Sequence, residues 1–202
     1  MKNIEVEVRG MLPKEKVERL KTLFAKDGRL KESKKRLLID YSSFIPGQEL
    51  GDRDRDIRLR TTNGQPEIIV KLGNWGVDER REEISIKTEE GSFEELVKAF
   101  AAMNMRKGMM AIRESEVYDY KGIEFAIVTV PNHSYYFEAE KMSTEENSKQ
   151  AYQEILEVCK DLGLEPFDQK GFLDYIDLLN KEANQVFDFE KYTPGYFDKF
   201  LI

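Results

Sequence analysis

The chain opens on a strict alternation, with Ile4, Val6 and Val8 interleaved with Glu5, Glu7 and Arg9. Successive side chains of a strand point to opposite faces, so this pattern predicts a strand with one apolar and one charged face. After Pro13 the period lengthens. Val17, Leu20, Leu23 and Phe24 share one side of a helix that Gly28 ends. Strands are expected over 36–41, over 56–60 and over 67–72, with Asn63-Gly64 as a two-residue type I′ hairpin turn between the latter two. Another is expected over 81–87, with Arg81, Glu83, Ser85 and Lys87 on one face and Ile84 and Ile86 on the other. Ser92 and Glu95 form a capping-box pattern at the head of a helix running to about Met103. Strands over 109–120, 122–130 and 135–140 follow, with a turn at Pro131-Asn132. Two helices come last, over 144–162 with Gly163 as its stop, and over 171–184. The tail VFDFEKYTPGYFDKFLI is aromatic-rich and has no clear period. Strands outnumber crossover helices, which points to α+β with a mostly antiparallel sheet.

Composition narrows the picture. The 202 residues are 40% apolar and 11% aromatic, enough for a core without disulfide or zinc. One cysteine, Cys159, permits no internal disulfide and suits a reducing compartment. The opening MKNIEVEVRG has no apolar h-region and no stretch approaches a membrane span, so a cytoplasmic location is expected. A net charge of −7 argues against nucleic acid or acidic lipid as partner. A single histidine, His133, makes Ser-His-Asp and histidine–metal chemistry unpromising. Cys159 reads as a buried, inert thiol. Trp75 reads as a loop residue that packs locally or covers a site.

The charges carry more. One face of an antiparallel sheet is ordinarily solvated, and for any single strand that explains Glu5, Glu7, Arg58, Arg60 and Lys71. Across strands, however, the types segregate: E-x-E at each end, R-x-R, Lys and Arg between. If a large antiparallel sheet closes into a barrel, such faces line its interior with an acidic patch and a ring of cations. Carboxylates at i and i+2 sit roughly 6–7 Å apart on one side of a strand, close enough to share a divalent ion. Arginine and lysine hold phosphate oxygens. Such an interior would bind a polyanion together with a metal.

The ordered motifs resemble those of the CYTH, or triphosphate tunnel metalloenzyme, superfamily. Glu5-Val6-Glu7-Val8-Arg9 is similar to its ExExK signature, and the run from Asp56 to Gly64 to its paired-arginine strand and turn. Ile68-Ile69-Val70-Lys71 resembles its lysine strand, Arg81-Glu82-Glu83 its R-x-E strand, and Tyr136-Phe137-Glu138-Ala139-Glu140 its terminal E-x-E strand. Leu162-Gly163-Leu164 and Gly171 to Leu179 follow its closing helices. The resemblance implies a closed eight-stranded barrel over 1–182 and does not reach residues 183–202, whose aromatics read as a tail packed on the domain or, second, as a partner contact. It assigns Glu5, Glu7, Glu138 and Glu140 to a divalent metal, Mg²⁺ or Mn²⁺, with Glu83 as a further ligand or outer partner. It turns Arg9, Arg58, Arg60, Lys71, Arg81 and Arg113 toward a triphosphate, with Glu5, Glu7, Arg9 and Lys71 at the chemistry. Arg80 is the alternative to Arg81 if the register slips by one.

Departures from the family pattern stand out. Arg9 replaces the signature lysine. Ser115 stands where the K-x-R strand has its second cation, after Arg113. An aspartate usually found about ten residues before E-x-E has no counterpart at Ala126 or Val128, and Glu124 is the nearest upstream acid. The implied activity is metal-dependent hydrolysis of a triphosphate-containing small molecule, inorganic triphosphate first. Nucleotide or thiamine triphosphate hydrolysis, adenylyl cyclisation of the class IV type, and polyphosphate binding without turnover are the alternatives. A homodimer stays open as the oligomeric state.

Overall fold

The computed structural model describes residues 3–48, 53–73 and 81–200. They group into two compact units, the first gathering residues 3–34, 81–82 and 114–177, the second the remainder.

In the first unit, β1 (Asn3–Met11), β8 (Ser134–Thr144), β7 (Ile123–Val130) and the C-terminal part of β6 (Lys107–Tyr120) pair antiparallel in the order β1-β8-β7-β6. Registers are fixed by which side chains must be buried. Val6 and Val8, then Phe137 and Ala139, then Ile123, Phe125 and Ile127, and finally Tyr118 form one face. On it pack Val17, Leu20 and Phe24 of α1 (Lys14–Asp27) and Ala151, Ile155 and Cys159 of α3 (Ser148–Leu162). The opposite face carries the charges. Gly10 has no side chain because a Cβ there would meet the Glu165 carbonyl oxygen at 2.2 Å; this lets the segment after α3 lie on β1, with the Phe167 amide donating to the Arg9 carbonyl at 2.8 Å. Gly163 ends α3 in the left-handed conformation, φ 66°, as its position in the sequence predicts.

In the second unit the order is β2 (Arg29–Asp40), β3 (Arg55–Thr62), β4 (Gln65–Leu72) and β5 (Glu82–Lys87), all but the first residues of β2 and β5 belonging to it. The Asn63-Gly64 turn has φ of 50° and 84°, the two positive values that type I′ requires. Leu37, Ile39 and Leu59 face Phe93, Val97 and Phe100 of α2 (Phe93–Ala102). The capping box is not made: the Ser92 hydroxyl donates to the Glu89 carbonyl oxygen at 2.6 Å and meets the Thr88 hydroxyl instead. The C-terminal segment adds an unexpected ninth strand, β9 (Gln185–Asp188), paired with residues 107–110 of β6. Its Phe187 and the following Phe197 are each 1% exposed in the core over α2. The helix before it, α4, spans Gln169–Glu182.

The expected closed barrel is corrected. A closed barrel gives every strand two partners, whereas among the described residues β1 pairs only with β8 and β5 only with β4. β5 is six residues long, exposed throughout and charged at Glu82, Glu83 and Lys87, features that discourage pairing along a free edge. The architecture is α+β: an antiparallel sheet with four α-helices. Among the described residues no helix is long and apolar enough to cross a membrane.

Candidate functional site

In the first unit the charged face can be read from register. Glu7 lies directly opposite Glu140 on β8, and Glu140 lies opposite Glu124 on β7. One step along, Arg9 lies opposite Glu138, and Glu138 opposite Ala126. Glu5, opposite Met142, shares the face by alternation. All four carboxylates assigned by the E-x-E motifs are therefore on one surface, and Glu124 joins them. The sequence named Glu124 only as the nearest upstream acid; its pairing with Glu140 makes it the carboxylate of this strand.

Like charges directly opposite each other on a sheet are unfavourable. Two cations offset the row. The Arg9 guanidinium donates from Nη2 to Glu7 Oε2 at 2.6 Å and from Nε to Glu138 Oε1 at 3.2 Å, and lies 5.5 Å from the Phe172 ring centroid. Lys31 pairs with Glu124, whose hydrogen bond holds the lysine above its ordinary value of 10.5 against the opposing effect of burial, with Asp119 and Glu140 adding to the pull. Glu7 is 5% exposed, so its charge depends on such partners.

Mg²⁺ and Mn²⁺ favour hard oxygen donors, a carboxylate or two with substrate oxygens and water, and Glu5, Glu7, Glu138 and Glu140 are donors of that kind. Their side chains are not converged: among the described residues no three acidic, histidine or cysteine side chains form a group that could hold a metal ion. Arg9 accounts for this in part, since its guanidinium occupies both Glu7 and Glu138. A divalent ion on Glu7 would replace Arg9 there.

In the second unit the same alternation of charge appears. Asp40 is opposite Arg58, Asp56 opposite Lys71, and Glu67 opposite Arg60. Arg58 Nη2 contacts Asp56 Oδ2 at 2.7 Å, and the buried Arg53 contacts Asp40 at 2.9 Å and Asp56 at 3.2 Å. Arg60 Nε contacts Glu67 Oε1 at 2.6 Å, while the Ser85 hydroxyl donates to Glu67 Oε2 at 2.9 Å. Burial pushes the Glu67 carboxyl up, but the Arg60 hydrogen bond and charge outweigh it and hold the group below its ordinary value of 4.5. Lys71 Nζ contacts Glu83 at 3.1 Å, so Glu83 stands as a lysine partner. Arg58, Arg60 and Lys71 share one face, as their spacing predicts.

Arg113 differs. Its Nη1 donates to the Ile112 carbonyl oxygen at 2.7 Å and its Nη2 to Asn184 Oδ1 at 2.8 Å, both neutral acceptors. Ser115, opposite Val128, brings no second cation. Arg81 is 5% exposed, while Arg80 and Trp75 lie outside the described residues. Cys159 is 1% exposed and burial pushes its thiol up to about 12, which makes it inert. His133 bonds Ser134, which bonds Tyr175, in an exposed turn.

No curated protein matches the chain. The PH1819 protein from Pyrococcus horikoshii is 19% identical, with a TM-score of 0.65 over 88% of this chain and 99% of that one. A conserved hypothetical protein from Pyrococcus furiosus is 20% identical, with a TM-score of 0.61 over 80% and 91%. HpAC1 from Hippeastrum, described as revealing a dominant triphosphatase activity, is 12% identical, with a TM-score of 0.54 over 82% and 90%. At these identities the likeness establishes the fold. The CYTH domain model matches residues 3–172, from the first E-x-E strand through the second and on into α4, and on that span the chain belongs to the CYTH domain family.

Proposed function

We propose that the protein is a divalent-metal-dependent phosphoanhydride hydrolase whose substrate carries a triphosphate, with inorganic triphosphate foremost. The observation that carries the reading is the row Glu7–Glu140–Glu124 with Arg9 bonded to Glu7 and Glu138. A surface of carboxylates placed directly opposite one another suits a hard dication. Family membership supports a phosphate-containing substrate.

Glu5, Glu7, Glu138 and Glu140, with Glu124 beside them, would hold Mg²⁺ or Mn²⁺. When bound, such an ion supplies polarisation of a phosphoryl oxygen and orientation of a water molecule. Arg9, whose guanidinium is held by Glu138 and lies over the Phe172 ring, would donate to a phosphate oxygen. Of the other cations, Arg58, Arg60, Lys71 and Arg113 on the second unit, and Arg81, are of the kind that holds phosphate oxygens and offsets charge on a transferred phosphoryl group. The in-chain carboxylates beside Arg58, Arg60 and Lys71 fix the orientation of these side chains between turnovers. No covalent nucleophile is required.

A second reading, polyphosphate binding without turnover, is favoured by the uncharged Ser115 and Ala126 on the same face. Phosphate release from tripolyphosphate, ATP and thiamine triphosphate, each with Mg²⁺ or Mn²⁺, separates the readings. Release from tripolyphosphate supports hydrolysis, faster release from ATP or thiamine triphosphate reassigns the substrate, and tight binding with no release supports the second reading.

A further inference from the structure

Arg9, Arg58, Arg60 and Lys71 each have a carboxylate within salt-bridge distance. Arg113 has none among the described residues; it is fixed at both terminal nitrogens by neutral oxygens. A neutral acceptor orients a guanidinium without neutralising it, so Arg113 keeps its whole charge for an anion. Two of its five N–H donors are used, which leaves three for an incoming oxyanion.

The orientation of Asn184 follows from its partners. Arginine can only donate, so the Asn184 oxygen must face Arg113, and its Nδ2 donates to Asn180 Oδ1 at 2.8 Å. Its backbone is pinned as well, the amide donating to the Leu179 carbonyl oxygen at 2.7 Å where α4 ends. The next residue begins β9, which pairs with the first residues of β6, the strand that carries Arg113. Thus Asn184 is tied to both α4 and the strand that holds its partner. It lies beyond residue 172, where the family match stops.

We propose that Asn184 is a positioning residue that presents Arg113, oriented and uncompensated, to a phosphate oxygen of the substrate, so that the C-terminal segment sets anion affinity. This rests on the triphosphate reading above. Asparagine is suited to the task where aspartate is not: aspartate would hold the guanidinium equally well but would cancel its charge.

The test is calorimetric titration of tripolyphosphate, at fixed ionic strength, into wild type, Asn184→Asp, Asn184→Ala, Arg113→Ala and the Arg113→Ala/Asn184→Asp pair, with thermal midpoints alongside. Asn184→Asp should weaken binding by about tenfold while the thermal midpoint holds or rises, because a new ion pair replaces a neutral bond. Asn184→Ala should weaken it less, since orientation is lost but charge is kept. In the Arg113→Ala background, Asn184→Asp should change affinity by less than twofold. Wild-type affinity in Asn184→Asp, or an undiminished effect in the absence of Arg113, overturns the positioning role while leaving the triphosphate reading intact. Absence of tripolyphosphate binding by the wild type overturns both.

Discussion

Glu7 and Glu140 are direct partners across β1 and β8, two carboxylates on one face of adjacent strands, with Glu7 only 5% exposed. A pairing of like charges directly opposite each other on a sheet is destabilising. The sheet holds it by means of Arg9, bonded to Glu7 and Glu138. Such an arrangement makes sense if the carboxylates serve a cation other than arginine during function.

The Glu140→Gln variant should therefore lose most of the thermal-midpoint rise that Mn²⁺ gives the wild type. Thermal scans with and without Mn²⁺ check this, and an undiminished rise would remove Glu140 from the metal ligands.

Arg9→Ala separates metal binding from turnover. Removing the guanidinium takes a competing cation away from Glu7 and Glu138, so Mn²⁺ should bind several-fold more tightly. Turnover should fall by about a hundredfold or more because a phosphate contact is lost. Calorimetric titration of Mn²⁺ and phosphate release measure the two effects. Arg9→Lys should restore part of the turnover, since it keeps the charge.

Glu67 gives a pH prediction. Its carboxyl is held below 4.5 in the fold by Arg60, so the stability it contributes is present above its unfolded value and is lost as pH falls through the lower folded value. Glu67→Gln should cost about 1–3 kcal/mol at pH 7, where Arg60 loses its partner. The difference from wild type should shrink as pH is lowered below 4.5. Urea unfolding at a series of pH values checks this.

Phe197, 1% exposed and edge-on to Phe93 with ring centroids 5.1 Å apart, anchors the C-terminal segment over α2. Phe197→Ala should cost about 3–5 kcal/mol, read from the denaturation midpoint of the purified variant.

Much of this was legible in the sequence. Strict alternation in residues 4–9 and 56–60 placed both charged faces correctly, because burial on one side of a strand fixes its register. Counting back from the Asn63-Gly64 turn pairs Thr62 with Gln65 and Arg60 with Glu67, so the Arg60 partner could have been found from sequence alone. Other features left weaker signals. β2 begins at Arg29, seven residues before the expected start, because RLKESKK is exposed and charged on both faces and shows no alternation. β9 is four residues long and held by aromatic packing, which leaves no period to read. The Arg113–Asn184 bond joins residues 71 positions apart and no local pattern announces it. Barrel closure came from the family resemblance and depends on edge pairing, which the residues of β5 do not encode.

The central claim is tested most directly by phosphate release from tripolyphosphate by wild type and the Glu5→Gln/Glu7→Gln double variant, each with Mn²⁺ and again in excess chelator. Glutamine keeps the volume and removes the anionic oxygens that a hard cation needs. The account predicts release by wild type with Mn²⁺ only, much weaker release from pyrophosphate, and none by the folded double variant. Undiminished release in chelator, or by the double variant, would contradict it.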